Sequence, residues 1–396
     1  MVSDCNKKCD TKFKALFFSG LALVGFYLML ENFDLKVAWK ASDLINDKSW
    51  IFNLNDLQRS TIIKVIKNVY DPDRRLFDYQ RDEFDFGSGL KKMSSAIREA
   101  YHGRGIALLR GLPRYSLNEK EFLLMNWGIG LHFGVARPQG KMTQYLSSVR
   151  NVGTDYRASN GRGYSSNARL DFHADGTDIV LLSCFNKAKT GGQSMITSSV
   201  SAYRILCHEH PDLAEIAHQD FFFSRQKEEA PGENSFYGQP LFDICDGRLF
   251  GKWNRNRVSS AQNIKGVPKL NSKQKKLMDK LDEILTRPEL MYTMFLEPGD
   301  MQFLNNHVML HSRTDYIDHK EPEKFRLLQR LWLAPPDSIP LPKSWGDFFR
   351  SIKPGTVRGG IRGHHYDDAC KAFEARQAAE LGMKLSPEWK ERKIFN

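Results

Sequence analysis

The sequence predicts an α+β chain, with an antiparallel β core of jelly-roll type and α-helices packed outside it. Two patterns and the composition carry this. Apolar residues recur at helical spacing over the first third of the chain. From about residue 142 onward they gather into short strands broken by Gly and Pro turns. The composition, 41% hydrophobic and 27% charged over 396 residues, is that of a globular protein large enough to bury a core. It excludes a disordered chain, a collagen, a coiled coil and a multi-span membrane protein.

The first element is residues 15–30, which carry no charge and follow Lys7, Lys8, Lys12 and Lys14. As a helix this stretch would span about 24 Å, a little short of the ~30 Å hydrocarbon core. It ends without the small residues of a signal-peptide cleavage site. It reads as an uncleaved single anchor, which makes the protein membrane-associated at its N-terminus and otherwise cytoplasmic. A buried or interfacial helix is the alternative. Cys5 and Cys9 are weak acylation candidates. Six cysteines without a CxxC pair form neither a disulfide framework nor a zinc site.

Helices are expected over 55–70, where Leu57, Ile62, Ile63, Val65, Ile66 and Val69 recur at helical spacing, and over 88–102, stopped by Gly103 and Gly105. Residues 106–109 read as a buried strand. The capping-box spacing of Ser116 and Glu119 predicts a short helix over 117–127, ended by Gly128 and Gly130. Strands follow at 179–182, 194–197, 292–296, on both sides of His311, and at 325–333. Helices are expected over 199–208 and, capped by Asn271, over 272–285. In Glu297-Pro298-Gly299-Asp300, Pro fixes φ for the first central position of a turn and Gly supplies the positive φ of the second.

The net charge is +11. Residues 251–280 carry nine lysines and arginines against one acid, Asp279. That density suits a polyanion or membrane surface, but a solvated helix face beside a loop is the simpler reading. No nucleic-acid motif accompanies it, so no specific nucleic-acid binding is expected.

His173 and Asp175 are one residue apart. On a strand, residues i and i+2 point to one face, so both can reach one metal ion. His311 is the candidate third ligand, with His307 as its rival four residues earlier. Two histidines and a carboxylate on one side of a metal leave positions open for substrates, the facial arrangement of non-haem Fe(II) oxygenases. Arg326 and Arg330 lie four apart among leucines, and Arg matches a carboxylate bidentately. Tyr145, Arg169 and Trp253 are candidates for the pocket wall. Arg255 and Arg257 alternate as if on a strand and would face the same way. Asp171 and Asp178, beside the motif, suit solvated loop positions equally well.

Taken in order, the HxD pair, the Thr190-Gly191-Gly192 turn with Ser194, the Glu297–Asp300 turn, the Asn305–Thr314 stretch with His311, and Arg326 with Arg330 resemble the TauD/TfdA-like family of Fe(II)/2-oxoglutarate dioxygenases. The resemblance implies a double-stranded β-helix. It implies Fe(II) held by His173, Asp175 and His311, and 2-oxoglutarate held by Arg326 with help from Ser194. It implies O2 as co-substrate and hydroxylation or oxidative demethylation of a small substrate, anionic ones included, with release of succinate and CO2. Arg330 stands where sulfonate-oxidising members bind the substrate's anionic group, and Arg169 and Tyr145 are further substrate-binding candidates. The 311–326 loop is longer than in the taurine enzymes. The organisation expected is an N-terminal segment 1–36 with its anchor, a helical extension 37–84, the dioxygenase domain 85–340 and a basic helical tail 341–396. A membrane-tethered, non-catalytic jelly-roll binding protein, or a polyanion binder, is the competing reading.

Overall fold

The structure, a computed structural model, describes residues 36–155 and 163–386. The anchor expected over 15–30 lies outside them, as do Cys5 and Cys9. Among the described residues, no helix is long and apolar enough to cross a membrane, so membrane association gains no support from them.

Seven helices matter to the site: α1 (Asp56–Val69), α2 (Ser88–His102), α3 (Glu119–Phe133), α4 (Ser199–Glu209), α5 (Arg255–Ala261), α6 (Ser272–Leu285) and α7 (Asp368–Glu380). α1 and α6 start where the sequence asks. Asn55 and Asn271 accept from the backbones of Gln58 and Gln274, whose side chains reach back to the cap residues. α3 departs from expectation. Asn118 and Glu121, not Ser116 and Glu119, form its capping box, and it runs through Gly128 and Gly130 to Phe133. A Cβ on Gly130 would lie 2.3 Å from a Leu331 methyl, and one on Gly128 2.4 Å from the Phe84 ring. These glycines allow close approach instead of ending the helix.

The strands in chain order are β1 (Ile51–Asn53), β2 (Ile106–Arg110), β3 (Val135–Ala136), β4 (Leu146–Val149), β5 (Ile179–Asn186), β6 (Thr190–Gly191), β7 (Ser194–Ser198) and β8 (Asp220–Ser224). They continue with β9 (Phe236–Pro240), β10 (Phe242–Cys245), β11 (Arg248–Gly251), β12 (Tyr292–Met294), β13 (Met301–Asn305), β14 (Met309–Arg313), β15 (Tyr316–Ile317) and β16 (Leu327–Ala334). A seven-stranded sheet runs β1-β2-β13-β5-β16-β3, with β4 also on β16. All its pairings are antiparallel except β1 with β2. A three-stranded antiparallel sheet runs β12-β7-β14.

Side-chain alternation on the large sheet divides the core in two. Val180, Leu182, Leu328 and Trp332 join one apolar cluster, which also holds Met195 and Ile196 of the small sheet. Ile179, Leu181, Leu331 and Leu333 join the other, with α2 and α3. Arg326, just before β16, and Arg330 on it share the parity of Leu328 and Trp332. Strand geometry alone therefore turns both arginines away from the helices and toward the small sheet.

The segments set apart in sequence as extension and tail are part of the same body as far as they are described. Trp39 and Trp50 lie in the first cluster, with Trp345 and Phe349. Phe373 of α7 lies in the second and stacks on Phe77, ring centroids 4.6 Å apart.

Candidate active site

A cleft opens between the first-cluster face of the large sheet and the small sheet. It encloses about 1150 Å³, its mouth included, and His173, Asp175, His311, Ser194, Arg326 and Arg330 all line it. His173 exchanges backbone hydrogen bonds with His311, at 3.0 and 2.9 Å. The Ala174 N–H donates to the Trp253 carbonyl, and that of Asp175 to the Asn306 side chain. The HxD stretch is thus clamped between β14 and the chain after β11.

The side chains converge. His173 Nδ1 lies 2.9 Å from the Asp171 carbonyl, which turns Nε2 inward. The Nε2 atoms of His173 and His311 stand 4.0 and 3.8 Å from the two oxygens of Asp175. One ligand atom from each residue lies within 4.8 Å of the others, close enough for one ion to draw together. Burial pushes both imidazoles down, His311 to about 3. Burial also opposes ionisation of Asp175, but Arg330, His311, His173 and the Trp332 N–H outweigh it and hold the carboxyl at about 2. Neutral imidazoles beside an ionised carboxylate are the ligand forms a divalent metal needs.

The cofactor residues fit too. Arg326 is 5% exposed, and its Nη1 has no hydrogen-bond partner among the described residues. A buried donor with nothing to meet fits a ligand carboxylate. Gly192 permits this seat, since a Cβ there would lie 3.0 Å from Arg326 Nε. Ser194 Oγ donates to Gln302 in the same cleft. Arg330 is occupied differently. Its Nε donates to Gln139, and its Nη1 lies 3.5 Å from Asp175 Oδ1. The Trp332 indole donates to Asp175 Oδ2 at 2.9 Å.

Several expectations are corrected. Tyr145 does not line the cleft: its hydroxyl donates to Glu374 and its ring packs on Phe77 and Phe373. It sits just before β4, on the side that faces α7. Arg169 is exposed and outside the cleft lining. His307 is no rival ligand, because it is fully buried with Nε2 2.8 Å from Asp178. Asp178 is not solvated either. Burial disfavours its charge, but Arg358 and His307 hold its carboxyl well below the usual range. Arg255 and Arg257 belong to α5, not a strand, and part company. Arg255 meets Asp279 and Asp282 on α6, while Arg257 lines the cleft beside Glu228. Trp253 is core, its indole donating to Asp282. Within the basic stretch, Lys252 and Arg257 line the cleft, while Arg255 and Lys280 make ion pairs with Asp279, Asp282 and Glu283.

Sequence reasoning missed Lys252, Gln139 and Tyr237, which line the cleft. Lys252 is 3% exposed and donates to the carbonyls of Ala174 and Asp175. Burial pushes its ammonium down to about 7. The available signal was a lysine directly after an apolar strand, lost in the count of a basic segment.

The chain is 29% identical over 320 residues to the FR-33289 synthase of Streptomyces rubellomurinus, covering 78% of this chain and 93% of that one. It is 26% identical over 272 residues to the taurine hydroxylase-like protein SAT17 of Stachybotrys chartarum, covering 63% and 67%. In structure it is similar to an asparagine oxygenase solved with Fe(II), 3-hydroxyasparagine and succinate (TM-score 0.55, 16% identity, 72% of this chain and 93% of that one). It is also similar to the non-haem iron oxygenase OrfP solved with Fe, succinate and hydroxy-arginine (TM-score 0.50, 13% identity, 72% and 94%). The family model for the taurine catabolism dioxygenase TauD, TfdA family matches residues 73–332, and the chain belongs to that family.

Proposed function

We propose that this dioxygenase uses Fe(II), 2-oxoglutarate and O2 to hydroxylate, or oxidatively demethylate, a small anionic substrate, with release of succinate and CO2. The observation that carries this is the buried, partnerless Nη1 of Arg326 in the same cleft as the converged His173, Asp175 and His311. We read the two facing sheets as a jelly roll and 85–340 as the catalytic unit, completed by packing from both flanks.

His173, Asp175 and His311 would hold the metal, and Arg326 with Ser194 the far carboxylate of 2-oxoglutarate. When bound, that pair supplies the oxidising power that inserts oxygen into a C–H bond. The protein's own residues orient and insulate. Trp332 and Arg330 keep Asp175 ionised and aimed, and the Asp171 carbonyl fixes the His173 tautomer. Leu182, Leu328 and Phe348 keep the cleft wall apolar around these few polar groups. An anionic substrate is favoured because cations outnumber acids on the described lining: Lys252, Arg257, Arg313, Arg326 and Arg330 against Asp175 and Glu228.

The test loads the protein anaerobically with Fe(II) and titrates 2-oxoglutarate, following the weak visible charge-transfer band of keto-acid chelation. The band disappears in His173→Ala, and Arg326→Ala needs far more 2-oxoglutarate. Folded, iron-loaded protein without a band overturns this reading in favour of a non-catalytic binding protein.

A further inference from the structure

We propose that the substrate's oxyanion head docks on the wall formed by Lys252, Arg257 and Tyr237, and that Arg330 is a positioning residue for Asp175 instead of the anion receptor. This rests on the dioxygenase reading above and deepens it. The substrate class it names is a small organic acid whose carboxylate or tetrahedral oxyanion sits a few bonds from the carbon oxidised.

The three residues reach one wall from three elements. Lys252 follows β11, Arg257 lies in the first turn of α5, and Tyr237 is on β9. The Phe348 ring joins them, 5.3 Å from Lys252 Nζ and with its centroid 5.0 Å from that of Tyr237. Each residue has donor capacity left over. Lys252 uses two of its three N–H donors on the carbonyls of Ala174 and Asp175. Arg257 gives one hydrogen bond to the Ser224 carbonyl and one to Glu228, from a fork of five donors. Tyr237 lines the cleft, and its hydroxyl is buried with no partner among the described residues. A buried ammonium, a guanidinium and an unsatisfied hydroxyl on one wall make a receptor for oxygen anions.

Charge and geometry separate this wall from the rest of the cleft. Fe(II) and doubly ionised 2-oxoglutarate cancel in charge, so the surplus on the lining stays unbalanced until substrate binds. Arg326 is seated elsewhere, against Tyr316 and Gly192. Arg330 has its Nε on Gln139 and its Nη1 on Asp175, so moving it to a substrate would loosen the metal's carboxylate. An anion held by Lys252 would lie beside the Ala174–Asp175 backbone, next to the metal ligands.

The experiment titrates inorganic phosphate and, separately, propionate into anaerobic protein saturated with Fe(II) and 2-oxoglutarate, by calorimetry. Iron content, the charge-transfer band and the melting temperature are recorded for every variant. The two probes separate a tetrahedral from a planar head, and binding of either supports the proposal. Lys252→Met and Arg257→Met each raise the probe Kd tenfold or more, and the mild Tyr237→Phe about threefold. Arg330→Met weakens Fe(II) binding instead and leaves the probe Kd within twofold in iron-saturated protein. Unchanged probe binding in Lys252→Met, Arg257→Met and Tyr237→Phe overturns the proposed wall. Failure of both probes to bind wild-type protein that shows the band overturns the anionic class while the dioxygenase reading stands. Absence of the band itself removes the dioxygenase reading and this proposal with it.

Discussion

Two constellations of His and Asp lie a few residues apart in this molecule, and they behave in opposite ways. His173, Asp175 and His311 bring their free atoms together on an open cleft. Asp178, His307 and Arg358 are closer still, but all three are essentially sealed from solvent, and Arg358 and His307 are both bonded to Asp178. Each set joins an Asp of the 173–178 stretch to a His of the 307–311 stretch. What separates a metal site from a structural ion pair is whether a protein cation already neutralises the carboxylate. Asp178 has Arg358 at 2.5 Å, whereas Asp175 has Arg330 only at 3.5 Å and keeps lone pairs free.

Five substitutions break or sharpen that contrast. The largest effect on activity is His173→Ala, which abolishes iron retention and turnover while leaving cooperative unfolding in place, read by metal analysis and 2-oxoglutarate consumption. The largest effect on stability lies at the other constellation. Arg358→Met or Asp178→Asn strands a buried partner and lowers unfolding free energy by about 3–5 kcal/mol in urea titrations. The pH dependence has a definite sign. Because the Asp178 carboxyl is depressed in the fold, its stabilisation is full above about pH 4 and drains away as pH falls below that. Wild-type and Asp178→Asn stability curves therefore converge on the acid side. Next, Arg326→Met weakens 2-oxoglutarate by roughly 10- to 100-fold, the worth of a charge-assisted hydrogen bond, with iron affinity unchanged. The smallest effect is Trp332→Phe, which deletes the donor to Asp175 Oδ2 and lowers Fe(II) affinity about tenfold with little change in melting temperature.

The sequence was most legible where one local rule sufficed. α1 and α6 begin after Asn55 and Asn271 because a cap and a 3.6-residue period agree. α2 matches its expected bounds because Gly103 and Gly105 close an amphipathic stretch. Legibility failed where a residue serves a distant partner. Gly128 and Gly130 look like stops, yet they are spaces for Phe84 and Leu331. Tyr145 looks like a pocket residue until Glu374 arrives from α7. Arg255 and Arg257 suggested a strand because period two was judged over too short a stretch, and the Asn254 cap went unnoticed. The convergence of His173, Asp175 and His311 was readable from the HxD pair and His311. The docking wall was not, since Tyr237, Lys252 and Arg257 converge only through folding and no spacing links them.

The chain after β16 reaches back over the HxD stretch. A Cβ on Gly176 would lie 2.4 Å from the Phe348 ring, and Arg358 supplies the cation for Asp178. All three proposed ligands are synthesised before these residues. A nascent chain that has just extruded His311 owns a complete ligand set but has no cover for it and no counterion for the buried acid beside it. Assembly of a closed site therefore waits until the chain through Arg358 has emerged. A chain cut short near residue 340 would lack both Phe348 over Gly176 and the cation beside Asp178.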